Sequence, residues 1–266
     1  MAQPSVPGLR ISVVGGSLGG LTAACLLRDS GHDVTVYERS PHELEERGAG
    51  IGFLPASSRY LVERVGLGID DISIATNHIR YLNRDGTVSY ESAHVYRFSS
   101  WNTVYRQLLT HWGSERYLLD HQLVSFDQDA VGVTARFGHR DVESDLLVCA
   151  DGVGSTARQI LQPDATRSYA GYVAWRGLIP QADLPATLGA SLSDAITYYV
   201  YANSHILVYP IPGIDGSVGP QDRLINFVWY RNYLEGDDLD DVLTDNDGLR
   251  RDLSVPPGSV ADHHIA

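Results

Sequence analysis

Cysteine is scarce in this chain, with two residues, Cys25 and Cys149, among 266. Each lies in an apolar stretch, so both read as small core residues of a reducing compartment, and no disulfide framework is available. Basic charge is short as well. The formal net charge is −13, which disfavours nucleic acid and anionic membrane as partners. No apolar run reaches membrane-spanning length, and the first residues lack the basic segment, apolar stretch and small-residue cleavage site of a secretory signal. The expectation is a soluble, cytoplasmic protein. Internal repeats and low-complexity segments are absent. The adjacent His263-His264 have no carboxylate or thiolate at ligand spacing, so no metal site is expected. What is left is a chain long enough for one large domain or two ordinary ones.

The organising stretch is Ile11-Ser12-Val13-Val14-Gly15-Gly16-Ser17-Leu18-Gly19-Gly20-Leu21. An apolar run enters a glycine turn and leaves as a helix, in which Leu18, Leu21, Thr22 and Cys25 share one face. Glycine permits the tight turn and a close approach of backbone to ligand, and the helix N-terminus offers N–H groups to an anion. The dinucleotide fingerprint G-x-G-x-x-G is met as Gly15-x-Ser17-x-x-Gly20, with serine at the middle position. Asp33 to Tyr37 then alternates as a strand and ends at Glu38, 18 positions after Gly20, where an acid accepts ribose hydroxyls. Together these form a βαβ unit for an adenine dinucleotide. The same letters spell G-x-S-x-G around Ser17, the nucleophile elbow of serine hydrolases. An elbow normally follows several earlier strands, whereas only about ten residues precede this turn, and Glu38 would then have no role.

Further on, Glu43 to Arg47 is a charged loop leading to Gly48-Ala49-Gly50-Ile51-Gly52, which suits either a backbone lying on a flat ligand or a plain connector. Pro55 opens a helix through Val65 that stops at Gly66. His78–Leu82 and Thr87–Tyr90 flank a hairpin turn. Ser100 caps a helix from Trp101 to Trp112, with Arg106 off its apolar line. Three strands follow, Leu118–Phe126, Val131–Phe137 and Leu146–Ala150. The last is apolar throughout, as for a strand buried on both faces. It delivers Asp151-Gly152 into a turn before a helix. From Ser168 the pattern is all-β and rich in tyrosine and tryptophan, and the tail from Leu234 is acidic.

Three motifs in this order resemble the FAD-dependent aromatic hydroxylases, flavoprotein monooxygenases of the para-hydroxybenzoate hydroxylase type. They are the Gly15-x-Ser17-x-x-Gly20 turn with Glu38, the Arg106-x-x-Leu109 helix, and Asp151-Gly152-x-x-Ser155-x-x-Arg158. The likeness covers essentially the whole chain. It implies an α/β fold, a three-layer Rossmann-like FAD-binding domain carrying an inserted, mainly antiparallel β-sheet substrate domain. The expected division is 1–77 with 95–166 for FAD, and 78–94 with 167–266 for substrate. Gly15, Ser17, Leu18 and Gly20 would hold the FAD pyrophosphate, Glu38 the adenosine ribose, and Arg39 would lie beside the adenine. Arg106 would reach the ribityl and phosphate region, Leu123 the adenine through its backbone, and Asp151 with Gly152 the pyrophosphate and ribityl chain.

The implied activity is an oxidoreductase reaction. NADH or NADPH and O2 hydroxylate an electron-rich aromatic or N-heteroaromatic ring, dihydroxypyridine-like in kind. A base must deprotonate a ring hydroxyl, and histidine titrates in the right range, so His205 is the first candidate, with Tyr199 and Tyr209 orienting substrate. The expected partners are a small aromatic substrate and at most a second copy of the chain as a homodimer. The family's later Gly-Asp motif, at the end of an apolar strand, has no counterpart here. Gly236-Asp237 instead sits in an acidic loop or helix start, so a C-terminally truncated hydroxylase is expected. A non-catalytic FAD- or ADP-binding remnant stays open beside the monooxygenase and the Ser17 hydrolase.

Overall fold

The computed structural model describes residues 8–44 and 49–265. Residues Glu45, Glu46, Arg47 and Gly48, which fall in the charged loop and glycine stretch noted above, lie outside the described residues. The chain opens with β1 (Arg10–Val14), α1 (Leu18–Asp29) and β2 (Asp33–Tyr37). A short strand β3 (Gly50–Gly52) leads to α2 (Pro55–Arg59), which continues as a π-helical turn over Tyr60–Val65 and stops at Gly66 with φ of 82°. After α3 (Ile69–Ile72) come the long hairpin strands β4 (Ile74–Leu82) and β5 (Val88–Ser100). Helix α4 (Trp101–Trp112) begins where the Ser100 hydroxyl accepts the Thr103 N–H at 3.0 Å.

The predicted strand over Leu118–Phe126 is in fact two. β6 (Tyr117–Leu118) and β7 (Leu123–Gln128) are separated by Asp120, whose φ of 59° breaks the extended path. β7 pairs with β8 (Val133–Phe137), which pairs with β9 (Arg140–Ser144), making a separate three-stranded antiparallel sheet. β10 (Leu146–Cys149) and α5 (Thr156–Leu161) follow. The remaining elements are β11 (Tyr172–Pro180), a 3-10 turn at Gln181–Asp183, α6 (Ala186–Ser193), β12 (Ala195–Tyr201), β13 (Ser204–Ile211), β14 (Leu224–Asn232) and α7 (Asp237–Val242), then a second 3-10 turn at Asp262–His264.

A four-stranded parallel sheet in the order β10-β1-β2-β6 carries the glycine turn. Helices α1 and α4 bury Leu21, Cys25, Leu108 and Trp112 against Val13 and Val36 of that sheet. Each such aliphatic or aromatic side chain contributes about 1.5–3 kcal/mol on burial. β10 pairs with a neighbour on one side only, through β1. That corrects two expectations: Leu146 is 40 % exposed rather than covered on both faces, and Cys149 is exposed rather than a core residue. An edge strand keeps the apolar composition of an interior one while part of it stays open to solvent.

The second, seven-stranded sheet runs β11-β14-β13-β12-β4-β5-β3, antiparallel except between β12 and β4. Its strands come from three separated parts of the chain, so the hairpin and the late all-β region are one layer. Gly50 of β3 is clamped to it. Its N–H donates to Asn226 Oδ1 at 2.9 Å and its carbonyl accepts the Tyr209 hydroxyl at 3.0 Å. A Cβ there would collide with Tyr209, Asn226 and Ile211, so the close approach that calls for glycine is to protein side chains. Among the described residues no helix is long and apolar enough to cross a membrane.

Candidate functional site: a groove beside the first glycine turn

Strand β1 ends in Gly15, whose φ of 100° lies in the left-handed range and whose N–H donates to the Tyr37 carbonyl at 2.8 Å. A Cβ at Gly15 would run into the Ala150 carbonyl, one at Gly16 into the Tyr117 ring, and one at Gly20 into the Gly15 carbonyl. These three glycines are therefore required by how β1, α1, β6 and β10 close on one another. Ser17 is different. Its φ of −81° and ψ of −170° are ordinary extended values, so serine at the fingerprint's middle position has no backbone cost. Its side chain makes no capping bond, so the first-turn N–H groups of α1 have no side-chain cap.

Glu38 is 5 % exposed. Its Oε2 accepts the Gly16 N–H at 2.7 Å and its Oε1 the Ser40 N–H at 2.9 Å. The carboxylate thus pins the end of β2 to the glycine turn and keeps further lone pairs for a ligand hydroxyl. Tyr117 closes the turn from below, its hydroxyl donating to the Gly16 carbonyl at 2.9 Å and meeting Tyr105 at 3.1 Å. Burial, with Tyr105 beside it, pushes the Tyr117 phenol far above its ordinary range, so it stays protonated as a donor.

From the neighbouring strand, Asp151 accepts the Ser155 hydroxyl at 2.6 Å and the Ala157 N–H at 3.2 Å, while Ser155 accepts the Arg158 N–H at 2.9 Å. The Asp-Gly-x-x-Ser-x-x-Arg spacing is thereby that of a cap on α5, with Gly152 at φ of 81° making the turn. The two halves meet. A cavity of about 170 Å³ is lined by Gly15, Ser17, Glu38, Arg39, Leu123, Asp151 and Gly152. Of the ten residues anticipated for the cofactor, those seven are brought together. Leu18 packs on the apolar core and Gly20 is buried under the turn, so both shape the groove from behind. Arg106 is placed elsewhere, donating to the Ile214 carbonyl at 3.3 Å beside Asp215.

His121 lines the same groove and went unnoticed in the sequence. Its Nδ1 donates to the Leu119 carbonyl at 2.6 Å, which leaves Nε2 as a lone-pair acceptor, buried and without a protein partner. Burial pulls its pKa down, with the nearby His139 and Arg140 acting the same way, so the ring is neutral. The only sequence signal was a histidine two residues before Leu123, too weak to single it out. An orphaned acceptor, a buried carboxylate, uncapped helix N–H groups and open space above Gly152 and Gly154 make a donor and acceptor set that fits an adenosine diphosphate moiety. The cavity is below the usual 300–1,000 Å³ of a drug-sized pocket, so it suits part of FAD rather than the whole.

The three residues anticipated for chemistry do not form one cluster. His205 pairs across the ladder with Val200, and Tyr199 with Ile206. Facing residues share a side and successive residues alternate, so His205 and Tyr209 lie on one face of the sheet and Tyr199 on the other. Tyr199 stacks on Tyr201, with centroids 5.2 Å apart. That corrects the grouping of Tyr199 with His205. Tyr209 is 4 % exposed, bonded to Gly50 and stacked on Phe98 at 4.2 Å, and burial pushes its pKa up to about 12. His205 is half-buried and stacks on Tyr230 at 4.8 Å. A larger cavity of about 890 Å³ lies beside β11, with Arg158, Tyr169, Trp175 and Arg176 in its wall and none of the three candidates.

Comparison with known proteins places these features in context. A family model described as an NAD(P)-binding Rossmann-like domain matches residues 13–43, and one described as FAD binding domain-like matches 169–266. The 2,6-dihydroxypyridine 3-monooxygenase of Paenarthrobacter nicotinovorans is 38 % identical over 262 residues, 96 % of this chain and 64 % of that protein. The 6-hydroxynicotinate 3-monooxygenase of Bordetella bronchiseptica is 28 % identical, over 77 % of this chain and 56 % of its own length. The solved 2,6-dihydroxypyridine-3-hydroxylase of Arthrobacter nicotinovorans superposes with a TM-score of 0.88 at 37 % identity, covering 97 % of this chain and 65 % of that one. The chain thus spans less than two thirds of these relatives.

Proposed function

The chain is a relative of the FAD-dependent aromatic monooxygenases in both sequence and fold, and from that kinship we propose that it binds FAD at the β1–α1 turn and serves hydroxylation of an electron-rich N-heteroaromatic ring. The observation that carries this reading is the single groove joining Glu38 of one strand to Asp151 of another across the glycine turn. In it the first-turn N–H groups of α1 and Ser17 take the diphosphate. Glu38 takes the ribose hydroxyls, Arg39 and the Leu123 backbone flank the adenine, and His121 Nε2 accepts from a base or sugar N–H or O–H. Asp151 and Gly152 close the other wall. Leu18 and Gly20 hold the turn's shape from within. Bound FAD would carry electrons from NADH or NADPH to O2, one oxygen atom entering the ring and the other leaving as water.

The protein's own share of the chemistry is to orient the ring, exclude water and take a proton from a ring hydroxyl. His205 is the proposed base, on the sheet face that also carries Tyr198, Leu207 and Tyr230. Tyr209 steadies that face through Gly50. The Ser17 hydrolase reading has no support, since among the described residues no histidine or acid hydrogen-bonds the Ser17 hydroxyl. We place the enzyme in the cytoplasm, with a small aromatic substrate and self-association as a homodimer.

Titration of FAD into the chain, followed by flavin fluorescence and absorbance, tests the reading. Saturable binding that weakens at least about tenfold in Glu38→Ala is expected, that factor corresponding to about 1.4 kcal/mol. A folded chain that takes up no flavin would overturn it. Oxidation of NADH stimulated by 2,6-dihydroxypyridine would separate the monooxygenase from a binding remnant.

A further inference from the structure

We propose that Asp241, His263 and His264 form a binding site for a zinc-class divalent cation, distinct from the nucleotide groove. Nothing in the linear sequence suggested it, because the carboxylate that completes the pair of histidines lies 22 residues before His263. The fold supplies it: Asp241 is on α7, and the 3-10 turn Asp262–His264 comes back against that helix. One ligand atom from each residue falls within a sphere where all lie within 4.8 Å of one another.

The distances carry the geometry further. Asp241 Oδ2 is 3.3 Å from His263 Nε2 and 3.3 Å from His264 Nε2. In a tetrahedral site with metal–ligand bonds of about 2.0–2.1 Å, the edge between two ligand atoms is about 3.3–3.4 Å. Both edges from Asp241 meet that value, and the ligand atoms of the two histidines lie within 4.8 Å of each other. The His264 side chain is 10 % exposed, and its Nε2 is buried without a hydrogen-bond partner, although it sits beside the carboxylate oxygen. A buried imidazole nitrogen beside an acid but not hydrogen-bonded to it is a polar atom whose bonding is unmet. The two imidazoles lie with centroids 4.0 Å apart, and both Nε2 atoms are 3.3 Å from the same oxygen, Asp241 Oδ2.

Two imidazoles and one carboxylate select zinc, cobalt or nickel over calcium or magnesium, which demand more oxygen ligands. Asp241 and His263 are more than half exposed, so the fourth position opens to water and the ion can enter from solvent. The ion would tie the 262–264 turn to α7. That region is already drawn together by the ion pairs of Arg250 with Asp240 at 2.7 Å and Arg251 with Asp245 at 2.5 Å. His264 also packs its ring 6.1 Å from Trp175 of β11. The staple would therefore fasten the C-terminal segment beside the edge of the large sheet.

The test uses the untagged chain, stripped with a chelator and titrated calorimetrically with zinc chloride, and with cobalt chloride followed by visible absorption. One ion per chain and the visible bands of four-coordinate cobalt are expected. Asp241→Asn, His263→Gln and His264→Gln should each weaken binding at least about tenfold, whereas His94→Gln, on β5, should bind as the parent does. Zinc should also shield His263 from diethylpyrocarbonate in the unmodified chain, a readout that needs no variant to fold. No zinc uptake by the parent, or uptake unchanged in all three variants, would overturn the proposal.

Discussion

At the β1–α1 turn the residue types are set by steric contact and buried N–H groups that admit only glycine or an acid, whereas on the seven-stranded sheet the role of a side chain is set by pleat and register between distant strands. Gly15, Gly16 and Gly20 are glycines because a Cβ would meet a carbonyl or a tyrosine ring, and Glu38 is an acid that grips two N–H groups. On the sheet, His205, Tyr209 and Tyr199 are similar in composition and neighbourhood, yet one of the three faces away. Local necessity makes a motif readable. A side chain's facing depends on a partner strand that the motif does not contain.

The sharpest way to break this contrast is to substitute two adjacent glycines of one helix. Gly20→Ala drives a methyl into the Gly15 carbonyl and is expected to cost about 3 kcal/mol or more in urea denaturation. Next, Glu38→Ala leaves the buried Gly16 and Ser40 N–H groups unpaired, a loss of about 2–3 kcal/mol in the same measurement together with weakened FAD binding. On the sheet, Tyr209→Phe removes one buried hydrogen bond and should lower stability by about 1 kcal/mol. In turnover assays, His205→Gln should lower kcat and change its pH profile, while Tyr199→Phe, on the opposite face, should leave both as they are.

Acid should test the C-terminal region. Backbone N–H bonds, chiefly from Leu249, and the Arg251 pair hold the Asp245 carboxyl below the usual range. A depressed folded pKa stabilises above the unfolded value of about 3.9 and is lost as pH falls through the folded one. The melting temperature should thus hold from neutrality to about pH 5 and drop below about pH 4, with a shallower drop in Asp245→Asn. The smallest effect belongs to Gly19→Ala. Nothing lies within 4 Å of a Cβ there, so helix propensity alone acts and stability should rise by up to about 1 kcal/mol.

Much of the nucleotide half was legible. The start of α1 at Leu18 and both limits of the helix Trp101–Trp112 follow from apolar spacing, the Ser100 cap and the Gly113 stop. The strand over 118–126 reads as continuous because a lone aspartate does not by itself mark a break, yet Asp120 takes a left-handed conformation that ends the extended path. Cys149 was misread because an apolar strand looks the same at an edge as in the middle of a sheet. His121 was invisible since its importance lies in an unmet nitrogen, a property of its surroundings. The residues of the Gly-x-Ser-x-x-Gly turn, Glu38, Asp151 and Gly152 could be named in advance.

By itself the sequence determined the βαβ unit and most of the residues that line its groove, because a tight turn, a helix N-terminus and a strand-ending acid are demands that a few residues in order must satisfy. Only the tertiary structure decided that Glu38 and Asp151 share one groove, that Tyr199 faces away from His205, and that Asp241 meets His263 and His264. Each of these depends on distances between residues far apart in the chain, and those distances exist only once the strands have paired and the helices have packed on them.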